Sequence, residues 1–424
     1  MSGFEILLAA LSAVPAALAL RRAWWMCIPL AILFTPEISA VLLVARQLGG
    51  GVAVQAALLL LHASFLAVLV FHFLLPHRPT RWELLYTVPG QVFFTGTLMY
   101  LAARGVAALA GLATSGWVLA VAPFGFALVA MASTHWAATN RTVIEIPALE
   151  RPLRVVHLSD IHVGTFMGDL RLQRMAARIN ALTPDLIVAT GDFLTIRSER
   201  DYSPLLRFFA AIHRPPLGVY GCLGNHDLSV ARRLIADLDT VGVRMLVNEA
   251  ETIAIGEDRS LTLIGLPFFW RNRGERYRDS FDKLTAHTSA PALVMCHDPA
   301  AFDTFATDRN ALVLAGHLHG GQIGLNWLGL PVSILRLFRM YDQGVFRKDA
   351  LQMYVHRGTG VYGFPVRIGV PAEVALLELV PVPAGSKVTV DTEALQNARL
   401  VTRDLRLAGQ GDREKSSASG SSAS

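Results

Sequence analysis

Five short clusters between residues 160 and 319 carry side chains that could bind metal. They are Asp160-Ile161-His162, Gly191-Asp192, Gly224-Asn225-His226-Asp227, Cys296-His297-Asp298 and Gly316-His317-Leu318-His319. Taken singly they say little, since D-x-H triplets and Gly-Asp pairs are common. Each, however, stands directly after an apolar run of strand-forming residues. Imidazole, carboxylate and amide carbonyl together suit Mn, Fe or Zn rather than Ca or Mg. The glycines around His317 and His319 would let the backbone pack close to such a centre, so both histidines read as ligands.

The elements that must position these clusters follow from pattern. "LRVVHLS", "PDLIVAT", "LGVYGCLG", "ALVMC" and "ALVLAG" read as buried strands. Between them, "GDLRLQRMAARINAL" places Leu172, Met175, Ala176 and Ile179 on one helical face. "SPLLRFFAAI" and residues 229–241 read as further helices, and "QMYVHRG" and "EVALLELV" as closing strands. Alternating strands and helices imply a layered α/β domain. In open α/β sheets, ligands bind beyond the carboxyl ends of the strands, where all five clusters stand.

The order D-x-H, GD, GNHD, H, GHxH resembles that of the calcineurin-like metallophosphoesterases. "LSDIHVG", "TPDLIVATGDF", "AGHLHGGQ" and "RGTGVYGFPVRIGVPAEVALLEL" are similar to the bacterial membrane-associated branch that includes UDP-2,3-diacylglucosamine hydrolases. The resemblance implies an α-β-β-α sandwich over residues 150–382 and two divalent metal ions bridged by Asp192. Asp160, His162 and His319 would complete the first metal site. Asn225, His297 and His317 would complete the second. His226 would face the scissile phosphate as proton donor or clamp, with Asp227 orienting it. The implied activity is hydrolysis of a phosphodiester or pyrophosphate bond, in a phosphorylated small molecule or a lipid-linked nucleotide. The rival readings are a general phosphomonoesterase held at the membrane and a non-catalytic metal-binding signalling protein.

The first part of the chain is built for another solvent. Residues 1–140 hold three acids (Glu5, Glu37, Glu83) and six bases (Arg21, Arg22, Arg46, Arg78, Arg81, Arg104). Apolar runs at about 4–20, 24–45, 52–75, 84–104 and 112–133 approach the roughly 20 residues needed to span a bilayer. An α-helical transmembrane domain of about five spans over 1–140 is expected, in contact with membrane lipids. "RR" at 21–22 and "HRPTR" at 77–81 then fall on one side, which the positive-inside rule makes cytoplasmic. The catalytic domain leaves the membrane on that side, and a bacterial inner membrane is expected. Of the charged residues, 32 basic and 30 acidic ones lie beyond position 140, so the basic balance points to no nucleic-acid partner. Three cysteines (Cys27, Cys222, Cys296) without a C-x-x-C suit a reducing compartment. Residues 383–424 read as an extension ending in a disordered Gly/Ser-rich tail.

Other residues are read more plainly. His62 and His72 lie in an apolar span with no evident acidic partner, which favours a structural or headgroup role. His157 reads as a satisfied strand histidine, and His356 as a weak site candidate. "FFWRNRGERYRD" at 268–279 reads as a solvated loop or as a basic rim attracting an anionic substrate. "GLNWLGLPVSILRLF" at 324–338 is apolar for a loop; it either packs in the core or meets bilayer or acyl chains.

Overall fold

The protein, as a computed structural model, describes residues 2–22, 27–70, 83–113, 116–195, 201–257, 259–286, 288, 290–363 and 365–383. It divides into two compact units. The first comprises residues 1–136, 164–166 and 362–367; the second takes in the rest. His72, the basic stretch 77–81 and the tail from 384 onward lie outside the described residues.

The first unit contains α1 (Gly3–Arg22), α2 (Cys27–Gln47), α3 (Val52–Leu69), α4 (Glu83–Leu109) and α5 (Trp117–Ala132), one for each apolar run. Large apolar side chains such as Leu60, Val106, Val121 and Val129 point outward as well as inward. Helices that are apolar all round belong in lipid or in a large core. Among the described residues, Val52–Leu69, Glu83–Leu109 and Trp117–His135 are long and apolar enough to cross a membrane. Inside the unit, Phe65 stacks on Phe94 at 4.8 Å and joins α3 to α4. His62 does have an acidic partner, contrary to the sequence reading. Its Nδ1 lies 2.7 Å from Glu37 Oε1 and its Nε2 lies 3.0 Å from Ser12 Oγ. The three residues come from three helices, and no periodicity within one helix could have paired them.

The second unit is an α/β sandwich with two mixed sheets. In chain order its elements are β1 (Ala137–Pro147), β2 (Leu153–Leu158), α6 (Asp169–Ala181), β3 (Leu186–Thr190) and α7 (Ser203–Ala210). There follow β4 (Val219–Cys222), α8 (Ala231–Asp239), β5 (Val243–Met245), β6 (Glu249–Gly256), β7 (Arg259–Leu266) and α9 (Arg273–Thr285). The chain closes with β8 (Ala292–Cys296), β9 (Ala311–Ala315), β10 (Gly344–Lys348), β11 (Leu351–Val355) and β12 (Ala372–Val382). One sheet has the order β1-β12-β2-β3-β4-β5, the other β10-β11-β9-β8-β7-β6. Strands β2 to β5 run parallel, as do β7, β8, β9 and β11.

Val155, Val188, Leu293, Leu314 and Leu377 are buried in one cluster drawn from both sheets. Each such side chain contributes about 1.5–3 kcal/mol by leaving water. Helix α6 buries Leu172, Met175, Ala176 and Ile179 against Val156 and Ile187 on the outer face of the first sheet. Helix α9 buries Tyr277 and Phe281 against Val294 and Val313 of the second. The result is the expected layering of helix, sheet, sheet and helix. Two elements differ from expectation. Strand β1 pairs with β12 along its whole length, so the sandwich begins at Ala137 rather than near 150. Residues 273–279, read as part of a loop, form the first turns of α9 (Arg273–Thr285).

Candidate metal centre

The five strands β2, β3, β4, β8 and β9 end one to three residues before Asp160, Asp192, Asn225, His297 and His317. The chain turns sharply there. Asp160, His162, Asp192, His317 and His319 adopt φ values of 54°, 47°, 51°, 73° and 50°. Such left-handed backbone costs about 1–3 kcal/mol per residue and gathers at functional sites. The turns are locked to one another: Asp160 N donates to Gly191 O at 3.0 Å, and His162 N donates to Asp192 O at 3.0 Å. Glycine is required where the loops touch. A Cβ at Gly224 would lie 2.2 Å from Asp192 Oδ1, and one at Gly316 would lie 1.9 Å from Ser159 Oγ.

The side chains converge in two groups, Asp160–His162–His319 and Asp192–His297–His317. Within each, the ligand atoms all lie within 4.8 Å of one another. Asp192 Oδ2 faces both groups, at 3.1 Å from His297 Nε2 and 3.7 Å from His162 Nε2. Asp160 Oδ1 lies 3.3 Å from His319 Nε2 and 3.9 Å from His297 Nε2. The tautomers are set from behind. His297 Nδ1–H donates to Thr190 O at 2.6 Å, and His162 Nδ1–H donates to Leu194 O at 3.0 Å. Both rings therefore turn Nε2 inward, the arrangement seen when a histidine ligates a metal.

The electrostatics favour a cation. Burial opposes ionisation of Asp160 and Asp192, yet neighbouring imidazoles hold both carboxyls below the usual range. Burial likewise opposes charge on His297, but Asp192 and Asp160 raise it to about 10. Burial and nearby imidazoles lower His162 to about 3 and His317 to about 4. The pocket thus draws positive charge toward Asp192 while leaving other imidazoles as lone-pair donors. His162 Nε2 and His319 Nε2 sit only 3.1 Å apart. His297 Nε2 and Asn225 Oδ1 are buried without a hydrogen-bond partner. Acceptors left unpartnered around His297, and two Nε2 atoms facing each other beside Asp160, fit a divalent metal ion at each group.

His226 stands at the mouth. Its amide donates to Asp192 Oδ1 at 2.9 Å, and its Nε2 lies 3.9 Å from Asp192 Oδ2. The Asp227 carboxylate accepts from the backbone amides of Phe193, Leu194 and Gly224 at 3.0, 3.3 and 2.9 Å. It ties the Asp192 loop to the Asn225 loop and acts on the site by positioning. Those amides favour its ionised form, while burial and the Asp192 charge push it up to about 8. His157 Nε2 bonds the Thr190 hydroxyl at 2.8 Å. His356 is buried against it, with ring centroids 4.8 Å apart, and belongs to neither ligand group.

Sequence reasoning missed the supports. Ser159 Oγ donates to Asp160 Oδ2 at 2.7 Å. Glu373 accepts from Arg357 N and Nε, both at 2.8 Å, and the Arg357 stem packs against Gly320 beside His319. "RGTGVYGFP…PAE" held both partners, but nothing in their spacing announced a pair.

A sandwich of two mixed sheets with Asp/His clusters on its loop ends defines a metallophosphoesterase domain. Residues 153–321 match the family described as calcineurin-like phosphoesterase, and this chain carries a domain of that family. Calcineurin-like phosphoesterases use two divalent metals. An uncharacterized metallophosphoesterase of Helicobacter pylori is 27% identical over 57% of this chain and 64% of its own length. A transmembrane protein with metallophosphoesterase domain from Danio rerio is 30% identical over 56% of each chain. The UDP-2,3-diacylglucosamine pyrophosphatase LpxG of Chlamydia trachomatis is 23% identical over 53% of this chain and 83% of its own. The chain spans less than two thirds of the length of the first two.

Proposed function

We propose that this protein is a membrane-anchored, dinuclear-metal phosphoesterase that hydrolyses a phosphodiester or pyrophosphate bond in a lipid-linked nucleotide. The observation that carries the reading is the convergence of six side chains from four strand ends, two carboxylates among four imidazoles. Asp192, whose Oδ2 faces both groups, would be shared between the two metal ions. Asp160, His162 and His319 would hold one, and Asn225, His297 and His317 would hold the other. The imidazole-rich donor set suits Mn, Fe or Zn. Bound there, the two cations would act as Lewis acids on the phosphoryl group and lower the pKa of the attacking water.

The chain's own residues do the rest. Asp192 and Asp160 supply the negative charge that keeps two close cations together. His226, partly buried beside Asp192, delivers a proton to the departing oxygen. Asp227 fixes the two loops that carry Asp192 and Asn225. The lipid-linked substrate is supported by the LpxG relative and by the apolar helices. It is also supported by the stretch 323–340, where Trp327, Leu337 and Phe338 are 70%, 79% and 69% exposed. Core packing does not account for that stretch. The arginine asymmetry at 21–22 and 77–81 supports a cytoplasmic active site at a bacterial inner membrane. The test is a substrate profile of the manganese-loaded full chain. UDP-2,3-diacylglucosamine should be cleaved in preference to soluble phosphomonoesters. Equal or greater turnover of simple monoesters would replace this reading with a general membrane-held phosphatase. A C-terminal reporter active only in the cytoplasm tests the orientation.

A further inference from the structure

We infer that Trp270 is a stacking platform for the planar base of a nucleotide, placed on the rim of the metal centre. The inference rests on the proposed phosphoesterase reading and names how part of the substrate is held. Phe268 is buried, 4% exposed, and its ring lies 5.3 Å from that of His317 and 6.2 Å from that of His297. Trp270 is 66% exposed, yet its ring meets Phe268 edge-on at 5.0 Å and 66°. Two ring-to-ring steps thus lead from a candidate metal ligand to an open indole face. That is about the span between a nucleobase and its own 5′-phosphates.

The platform is built rather than loose. Phe268 N donates to Leu223 O at 3.2 Å, which fixes the segment to the loop that carries Asn225 and His226. The Arg273 guanidinium lies 5.0 Å over the Phe268 ring and pairs with the buried carboxylate of Asp298, next to His297. Asp298 is itself fixed by Ala300 N at 3.1 Å. An indole with two side-chain torsions, held this way, loses little freedom on binding a flat partner. Scattered exposed apolar residues need no explanation. This one differs because its support runs directly to the site. Arg271 stands beside it, exposed and without an ion pair among the described residues, and suits an anionic ligand. Stacking of a base on an aromatic side chain is worth about 1–3 kcal/mol by alanine substitution and tolerates any base.

The test is calorimetric binding of UMP and of ribose 5-phosphate to the manganese-loaded full chain, which reads affinity without turnover. The wild type should bind UMP about tenfold more tightly than ribose 5-phosphate, a difference of about 1.4 kcal/mol. Trp270→Ala should abolish that preference by weakening UMP alone, and Trp270→Phe should keep most of it. Equal wild-type affinities, no binding of either, or a preference that survives Trp270→Ala would each overturn the platform. A Trp270→Ala protein that loses both ligands equally would also overturn it. A wild type that prefers UMP but leaves UDP-2,3-diacylglucosamine intact would refute the proposed substrate and leave the platform standing.

Discussion

The molecule buries imidazole beside carboxylate in two places, and the two have opposite characters. In the helical unit, His62 uses each ring nitrogen once, on Glu37 at 2.7 Å and on Ser12 at 3.0 Å. The three residues sit on regular helices, and both ring nitrogens of His62 are partnered, while Glu37 Oε2 is buried without a partner among the described residues. In the sandwich, imidazoles from three loops turn Nε2 toward Asp160 and Asp192, and two of those nitrogens face each other at 3.1 Å. Their backbone is left-handed at five ligand positions. Residue type and burial are the same in both places. What separates a structural pair from a metal centre is convergence of lone pairs and strain in the chain that presents them. An imidazole partnered at both ring nitrogens suits a structural pair, and lone pairs gathered around two carboxylates suit a cation.

The sharpest way to break this comparison is to remove the charge at the point where the two ligand groups meet. Asp192→Asn should reduce hydrolysis of a generic aryl phosphodiester to background and lower the content of both metals together. The amide can still accept from His226 N, so the fold should survive, which circular dichroism would check. Wild-type turnover in this variant would sink the site assignment. His226→Ala comes next. It should retain both metals and lose about 10²–10⁴-fold in rate, the usual contribution of a positioned general acid. The loss should shrink for leaving groups that need no proton. Absence of one metal from the purified variant would make His226 a ligand instead.

The helical pair should give the contrary result. Glu37→Leu removes the oxygen that receives His62 Nδ1, and an unsatisfied buried partner costs about 1–3 kcal/mol. The expected outcome is a lower melting temperature for the detergent-solubilised protein, with metal content and turnover unaltered. Loss of metal in this variant would show that the two buried clusters are not independent.

These expectations rest on features that were unequally visible in the sequence. That these Asp and His clusters meet was legible because each follows a short apolar strand, and a parallel sheet forces strand ends to one edge. The layers were legible from the alternation of strand and helix patterns. Strand β1 was not, because its exposed, polar face reads as linker and its partner β12 lies over 200 residues later. The Arg-rich stretch hid α9, although Tyr277, Phe281 and Thr285 fall on one helical face. The amides that Asp227 receives lie on two loops, one of them more than thirty residues away in sequence, and spacing did not announce them. Glu37 and His62 stand 25 residues apart on two helices, and only packing could bring them together.

The smallest expected effect concerns the rim of the site rather than its centre. Residues 323–340 leave the metal-bearing turn through two short 3₁₀ turns, Asn326–Leu328 and Ile334–Phe338. Leu335 is half-buried against Gly321, and Trp327 has one edge against Gly369. Trp327, Leu337 and Phe338 are nonetheless mostly exposed, and together they present apolar surface that a soluble substrate has no use for. If that surface holds acyl chains while the phosphate reaches the metals, its loss should be felt only by a substrate that has such chains. Trp327→Ser, Leu337→Ser and Phe338→Ser should each raise KM for UDP-2,3-diacylglucosamine roughly fivefold, from partial exposure of about 40 Å² of apolar contact. KM for a water-soluble phosphodiester should stay the same in the same preparations. Because these side chains are exposed in the folded protein, replacing them opens no cavity and should not lower the melting temperature. An equal rise in KM for both substrates would place the residues in the general architecture of the site. No rise for either would leave the apolar stretch without a part in recognition, and the lipid-linked substrate would lose its support in the sandwich.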